Sequence, residues 1–290
     1  MKNNKLWLLY ALITTVTWGV WGAFSEIPEK AGFPSTLVYV VWALTMIPCA
    51  LVGLKRIKFK LEFNAKSIYL GMIIGLTGAG GQLILFEALK EGPAYIIFPI
   101  IALSPVVTII MSVWILKERA GVKSWIGIIF ALVSIFLFSY MKPESLNIDG
   151  YLWLVLAILI FVLWGVQAFF MKKANETMSA EGIFTYMAIS AIILIPIALG
   201  MTDFSQEINW GFKGPYLTGI IQILNAIGAL SLVYAFRYGK AMVVSPMTAA
   251  YPMVTVVISL IIYSVLPNIA MTIGFVLASL SIYLFATNES

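Results

Sequence analysis

Ten stretches of roughly twenty mostly apolar residues, each long enough to cross a bilayer as a helix, follow one another along this chain, joined by connections too short to hold a domain of their own. They cover approximately residues 6–26, 35–54, 67–89, 94–115, 122–141, 151–171, 181–200, 214–236, 241–263 and 268–286. The joints carry the breakers and charges, as in EKAGFPS, LKERAGVK, MKPESLNIDG and RYGK. With 61% hydrophobic residues, 11% charged residues and a mean hydropathy of +0.99, the chain cannot fold as a water-soluble globule. The first stretch follows MKNNK and ends near Ala23-Phe24-Ser25. It is too long for a usual signal-peptide core and holds Trp18 and Trp21, so it reads as the first spanning helix.

The basic residues set an expected orientation. With the N-terminus in the cytoplasm, fourteen of the eighteen Lys and Arg fall in inside loops, leaving Lys30, Lys90, Lys142 and Lys213 outside. That bias places both termini in the cytoplasm, in a cell inner membrane, by the positive-inside rule. Nucleic acid is not an expected partner. The chain has no histidine and one cysteine, Cys49, which excludes intrachain disulfides, Cys/His zinc sites and histidine switches. No cofactor and no metal site is expected.

The chain is also written twice. GPAYIIFPIIALSPVVTII at 92–110 returns as GKAMVVSPMTAAYPMVTVV at 239–257, with Gly92, Ala94, Pro99, Ala102, Pro105, Val107 and Thr108 repeated at a constant offset of 147. Trp18-Gly19-Val20 returns as Trp164-Gly165-Val166, and Ile47-Pro48 as Ile195-Pro196. The repeating unit is therefore five helices, residues 1–142 and 143–290. An odd number makes the second copy enter the membrane inverted, and the five basic residues after helix two against the lone Lys213 after helix seven agree with that. The expected fold is an all-α membrane protein of ten transmembrane helices in two inverted repeats.

Proline in a helix removes a donor and crowds the carbonyl four residues back, so Pro99, Pro105, Pro246 and Pro252 would free the carbonyls of Tyr95, Ile101, Met242 and Thr248. Lipid cannot satisfy such groups, and interrupted helices at matching places in inverted halves point to a transporter's substrate site; shaping of helix packing is the plainer alternative. Four amides at membrane depth, Gln82, Gln167, Gln222 and Asn225, must also face the interior, for substrate or for interhelical hydrogen bonds. Of the nine tryptophans, Trp7, Trp114, Trp125 and Trp153 fall near helix ends, where an aromatic belt accounts for them, and Trp210 in a loop. Trp18, Trp21, Trp42 and Trp164 remain, and the inverted symmetry sets Trp18 and Trp164 toward opposite ends of one cavity, to pack or to stack on a substrate. Glu87 is the acidic residue nearest to a helix interior and a candidate for proton coupling, with pairing to Lys90 at i+3 as the alternative.

The string FEALKEGPA, Pro105 in the following helix, the Lys117-Glu118-Arg119 turn, Gly127 and the paired five-helix units resemble the drug/metabolite transporter superfamily, in its two-repeat EamA branch. The second copy departs from this pattern, with Val265-Leu266 where the first has Glu118-Arg119. The resemblance implies alternating-access transport of a small metabolite, an amino acid or related compound, with export the expected direction. It also implies a cavity lined mainly by the first, third and fourth helices of each half. An uptake permease for sugar-like solutes is the alternative within the superfamily, and an intramembrane enzyme the alternative outside it. Substrate identity, coupling ion and oligomeric state are not legible in the sequence.

Overall fold

Apolar runs rich in Leu, Ile, Phe and Ala satisfy their backbone groups internally as helices, and the described chain contains no other regular structure. A computed structural model of the protein describes residues 5–91, 97, 100–139, 151–263 and 268–287. The helices are α1 (Leu6–Phe24), the short α2 (Glu26–Lys30), α3 (Ser35–Arg56), α4 (Ala65–Glu91), α5 (Pro105–Trp114), α6 (Val122–Ser139), α7 (Leu152–Ala174), α8 (Ala180–Ile193), α9 (Ile195–Gly200), α10 (Leu217–Tyr238), α11 (Ala241–Ala249), α12 (Pro252–Tyr263) and α13 (Ile269–Thr287). Six spans among the described residues, Leu6–Lys30, Ser35–Arg56, Ala65–Ala88, Leu152–Ala174, Ala180–Gly200 and Phe212–Tyr238, are long and apolar enough to cross a membrane. Ile100–Trp114, Val122–Leu137 and Ile269–Phe285 are shorter apolar helices.

The prolines do not all act alike. α3 runs unbroken through Pro48, whereas its repeat partner divides at Leu194, with Pro196 in the first turn of α9. In the fourth and ninth apolar stretches the chain turns at Leu103–Ser104 and at Ala250–Tyr251, again 147 residues apart, and Pro105 and Pro252 each open the following helix. Proline is favoured there because the first helical N–H has no intrahelical partner to lose. This corrects the expectation for two of the freed carbonyls. The Ile101 carbonyl accepts from Ser104 N at 3.0 Å and the Thr248 carbonyl from Tyr251 N at 3.2 Å, so a tightened three-residue turn satisfies both locally.

The two repeats are interleaved. α1 packs on α10 and α12, and α7, its repeat partner, packs on α4 and α5. Small residues make each approach possible. A Cβ on Gly19 would collide with Val254 and one on Gly165 with Val107, another pair 147 apart. Thr255 Oγ1 donates to the Gly19 carbonyl at 2.9 Å, and its counterpart Thr108 Oγ1 donates to the Gly165 carbonyl at 3.0 Å. α4 presents Gly71, Gly75, Gly78 and Gly81 to Tyr186, Ser190, Gln167 and Trp164, a small-residue face of the kind that lets helices meet closely.

Interleaving gathers the loops into two ends. At one, which carries Lys55, Arg56, Lys172 and Arg237, Glu62 accepts from Ser179 N at 2.9 Å and Arg56 Nη1 donates to Tyr234 Oη at 3.2 Å. Ser179 also caps α8, its Oγ accepting from Gly182 N at 3.0 Å. At the other end Gly32, at φ +89 where a side chain is disfavoured, accepts through its carbonyl from Asn209 N at 3.0 Å, and Thr36 and Thr202 share a hydrogen bond of 2.7 Å.

Candidate substrate site

Three indoles and two amides converge where α1, α3 and α10 meet beside the turn that separates α11 from α12. An indole N–H only donates, and inside an apolar bundle it must find an acceptor. Trp21 Nε1 donates to Gln222 Oε1 at 3.1 Å, Trp42 Nε1 to Asn225 Oδ1 at 3.2 Å, and Trp18 Nε1 to the Asn225 backbone carbonyl at 3.2 Å. These bonds fix the amides, since an oxygen turned to each indole turns the NH2 group away from it. Neither amide nitrogen has a hydrogen-bond partner among the described residues. Tyr251, at the helix break, meets Trp18 edge-on at 5.9 Å between ring centroids and Trp21 at 6.4 Å. Tyr39 lies edge-on to Trp42 at 5.2 Å. Gly228 leaves room for the Trp18 ring on α10.

The second repeat holds a related but simpler arrangement. Trp164 Nε1 donates to the Gly78 carbonyl at 3.3 Å, and Gly78 is the counterpart of Asn225. The Trp164 ring rests on Gly81, the counterpart of Gly228. Gln167, which stands where the first repeat has Trp21, packs on Gly78. The repeat thus preserves how each tryptophan seats against the opposite repeat, while among the described residues the amide–indole pairs belong to the α1–α3–α10 side.

Trp18, Trp21, Gln222 and Asn225 come together as one cluster, with Trp164 and Gln167 forming the second. Pro105 and Pro252 sit at the two breaks, and Pro246 is buried inside α11. Gln82 is half-buried on α4 and makes none of these contacts. Pro99 lies outside the described residues. Glu87 borders an apolar groove of about 350 Å³ between α4, α7 and α9, lined also by Leu83, Leu156, Leu194 and Ile197. Sequence reasoning left out Trp42 and Tyr251. Trp42 had survived the sorting of the tryptophans, and Tyr251 directly precedes a repeated proline, a signal that was available. Trp153 corrects the belt expectation: it is 8% exposed and packs with Leu85, Ala88 and Ile160 instead of at a surface, while Trp114 and Trp125 are exposed as a belt requires.

An all-helical, doubled chain whose repeats interleave around broken helices defines a class of membrane protein, and comparison with known proteins gives it a family. The model of the EamA-like transporter family matches residues 5–140 and again 151–287. The chain belongs to that family, within the drug/metabolite transporter superfamily. It is 28% identical over 132 residues to an uncharacterized protein of Methanocaldococcus jannaschii, a match that spans 46% of this chain and 95% of that one. It is also similar to a crystal structure at a TM-score of 0.76 and 14% identity, over 96% of this chain and 98% of the other, a likeness of fold.

Proposed function

We propose that this protein is a secondary transporter that moves a small metabolite, an amino acid or a related compound, outward across the cell inner membrane by alternating access. The single observation that carries the reading is the Trp18, Trp21, Trp42, Gln222 and Asn225 cluster at a broken helix. It offers flat apolar ring faces, whose N–H groups are already bonded, together with two amide nitrogens aimed elsewhere. Such a site holds a solute with an apolar body on the rings and a carboxylate or carbonyl oxygen on the amides, because an amide donor that a bound solute shields from water must find its partner on that solute.

In this reading ten spans cross the membrane in two inverted repeats, the end bearing Arg56, Glu118 and Lys172 is cytoplasmic, and both termini lie on that side. The moving bodies each draw on both repeats, α1 with α10 and α12 against α7 with α4 and α5, since these are the helices that interlock. Flux of radiolabelled amino acids and related metabolites into proteoliposomes of the purified protein tests the function. A saturable, counterflow-competent flux for at least one solute is expected. Flux equal to that of empty liposomes for the whole set would defeat the reading.

Pro105→Ala and Pro252→Ala should insert and fold at normal abundance, because proline at a first helical position gives up no hydrogen bond. Each restores an N–H that permits the helix to continue through the break, so transport rate is expected to fall by about tenfold or more as the break straightens. Normal flux in both variants would show that the breaks have no part in transport.

A further inference from the structure

The inverted repeat contains its own control, and at one place the two copies differ. Lys117, at φ 54, turns the chain sharply after α5, and the Glu118 N–H is anchored on the Ser112 carbonyl at 3.1 Å. The Glu118 carboxylate then reaches across to the other repeat. Its Oε1 accepts from Ala241 N and its Oε2 from Met242 N, both at 3.0 Å, so one side chain caps two orphan donors at the start of α11, where a negative charge is favoured. Beside it, Lys172 Nζ donates to the carbonyls of Phe236 at 3.0 Å and Gly239 at 2.6 Å, at the end of α10, and feels the Glu118 carboxylate electrostatically. Lys240 Nζ closes the group on the Arg119 carbonyl at 3.0 Å. The joint between α10 and α11 is thus held from both directions by side chains of α7 and of the α5–α6 turn.

The repeat partners of these residues cannot make such a clasp. Val265 stands 147 residues after Glu118, and Glu26 stands 146 before Lys172, so the carboxylate is replaced by an apolar side chain and the ammonium by a carboxylate. We infer that Glu118 and Lys172 form a one-sided clasp that closes the pathway at their end of the molecule and biases the carrier toward the state open at the opposite end. Hydrogen bonds in which one partner is charged are stronger than neutral ones, and the bonds described at the opposite end, Asn209 N to the Gly32 carbonyl and Thr36 with Thr202, join neutral groups. The inference rests on the transport reading and adds which pair of positioning residues sets the resting state.

Spin labels at Gly121 and Tyr238, in a Cys49→Ser background of the reconstituted full chain, report the distance across the clasp by double electron–electron resonance. Gly121 faces open space and Tyr238 is exposed at the end of α10. The otherwise unaltered protein is expected to show one dominant short distance. Glu118→Ala, and separately Lys172→Met, should raise the ratio of long to short distances about tenfold, the scale of losing a charged cap, with Glu118→Gln intermediate because one acceptor remains. Distance distributions in both Glu118→Ala and Lys172→Met that match the parent would overturn the clasp. Solute flux is measured on the same preparations, so a parent protein that carries no solute refutes the transport reading separately from the distances.

Discussion

Replacing Asn225 by Leu is expected to weaken solute binding by roughly 5- to 150-fold while the protein still folds and inserts. The side chain accepts from the Trp42 indole at 3.2 Å, and its backbone carbonyl accepts from Trp18. Leucine keeps the carbonyl and the volume but leaves the Trp42 N–H without an acceptor and deletes an amide donor from the site. An unsatisfied buried donor is worth about 1–3 kcal/mol, and a solute that can no longer pair with the amide loses a bond of its own. Saturation of flux against solute concentration measures the effect, with Gln222→Leu as a parallel case acting through Trp21. Gln82→Leu on α4 separates two views of the site. An unchanged half-saturation in that variant fits a residue that makes none of the indole–amide hydrogen bonds, whereas a loss as large as that of Asn225→Leu would extend the site to α4. Unaltered affinity in both Asn225→Leu and Gln222→Leu would remove the cluster from substrate binding.

The larger structural effect is expected at Gly19 and Gly165. Each faces a β-branched side chain and a backbone carbonyl at a helix break of the other repeat: Val254 and the Tyr251 carbonyl for Gly19, Val107 and the Ser104 carbonyl for Gly165. Leucine at either position overfills a contact that cannot give way without moving the break. Overpacking of this kind costs about 1–3 kcal/mol and more where backbone must shift. We expect a lower melting temperature and reduced abundance for either variant and no folded protein for the pair. Gly80→Ala is the contrasting substitution, since beyond its own stretch of helix no atom lies within 4 Å of the added methyl group and alanine favours a helix interior over glycine by about 0.5–1 kcal/mol. Melting of detergent-solubilised protein, followed by loss of monodispersity, compares the three. Equal stability of Gly19→Leu and Gly80→Ala would show that the interleaved contacts do not hold the repeats together.

Apolar length and periodic recurrence determined much of this protein without any coordinates, because a helix that closes its own hydrogen bonds is the way a single apolar segment can exist in lipid. Helices stand at the expected stretches wherever the chain is described, and the recurrence of Pro105 as Pro252 located both breaks. The resemblance to the family was carried by FEALKEGPA, Pro105, the Lys117-Glu118-Arg119 turn and Gly127 together with that repeat. Only tertiary structure decided which helices meet. Glycines 71, 75, 78 and 81 marked α4 as a packing helix, yet nothing local says that their partners are Tyr186, Ser190, Gln167 and Trp164 of the other repeat. Likewise Gln222 and Asn225 announced themselves as buried amides, but an amide has many possible partners, and their pairing with Trp21 and Trp42 depends on how α1 and α3 are set against α10. Glu118 read as part of a charged surface turn because sequence shows a residue's neighbours along the chain. Its role as the cap of α11 comes from a backbone more than a hundred residues away, whose unpaired N–H groups at the start of that helix meet Glu118 only once the fold has brought the two turns alongside.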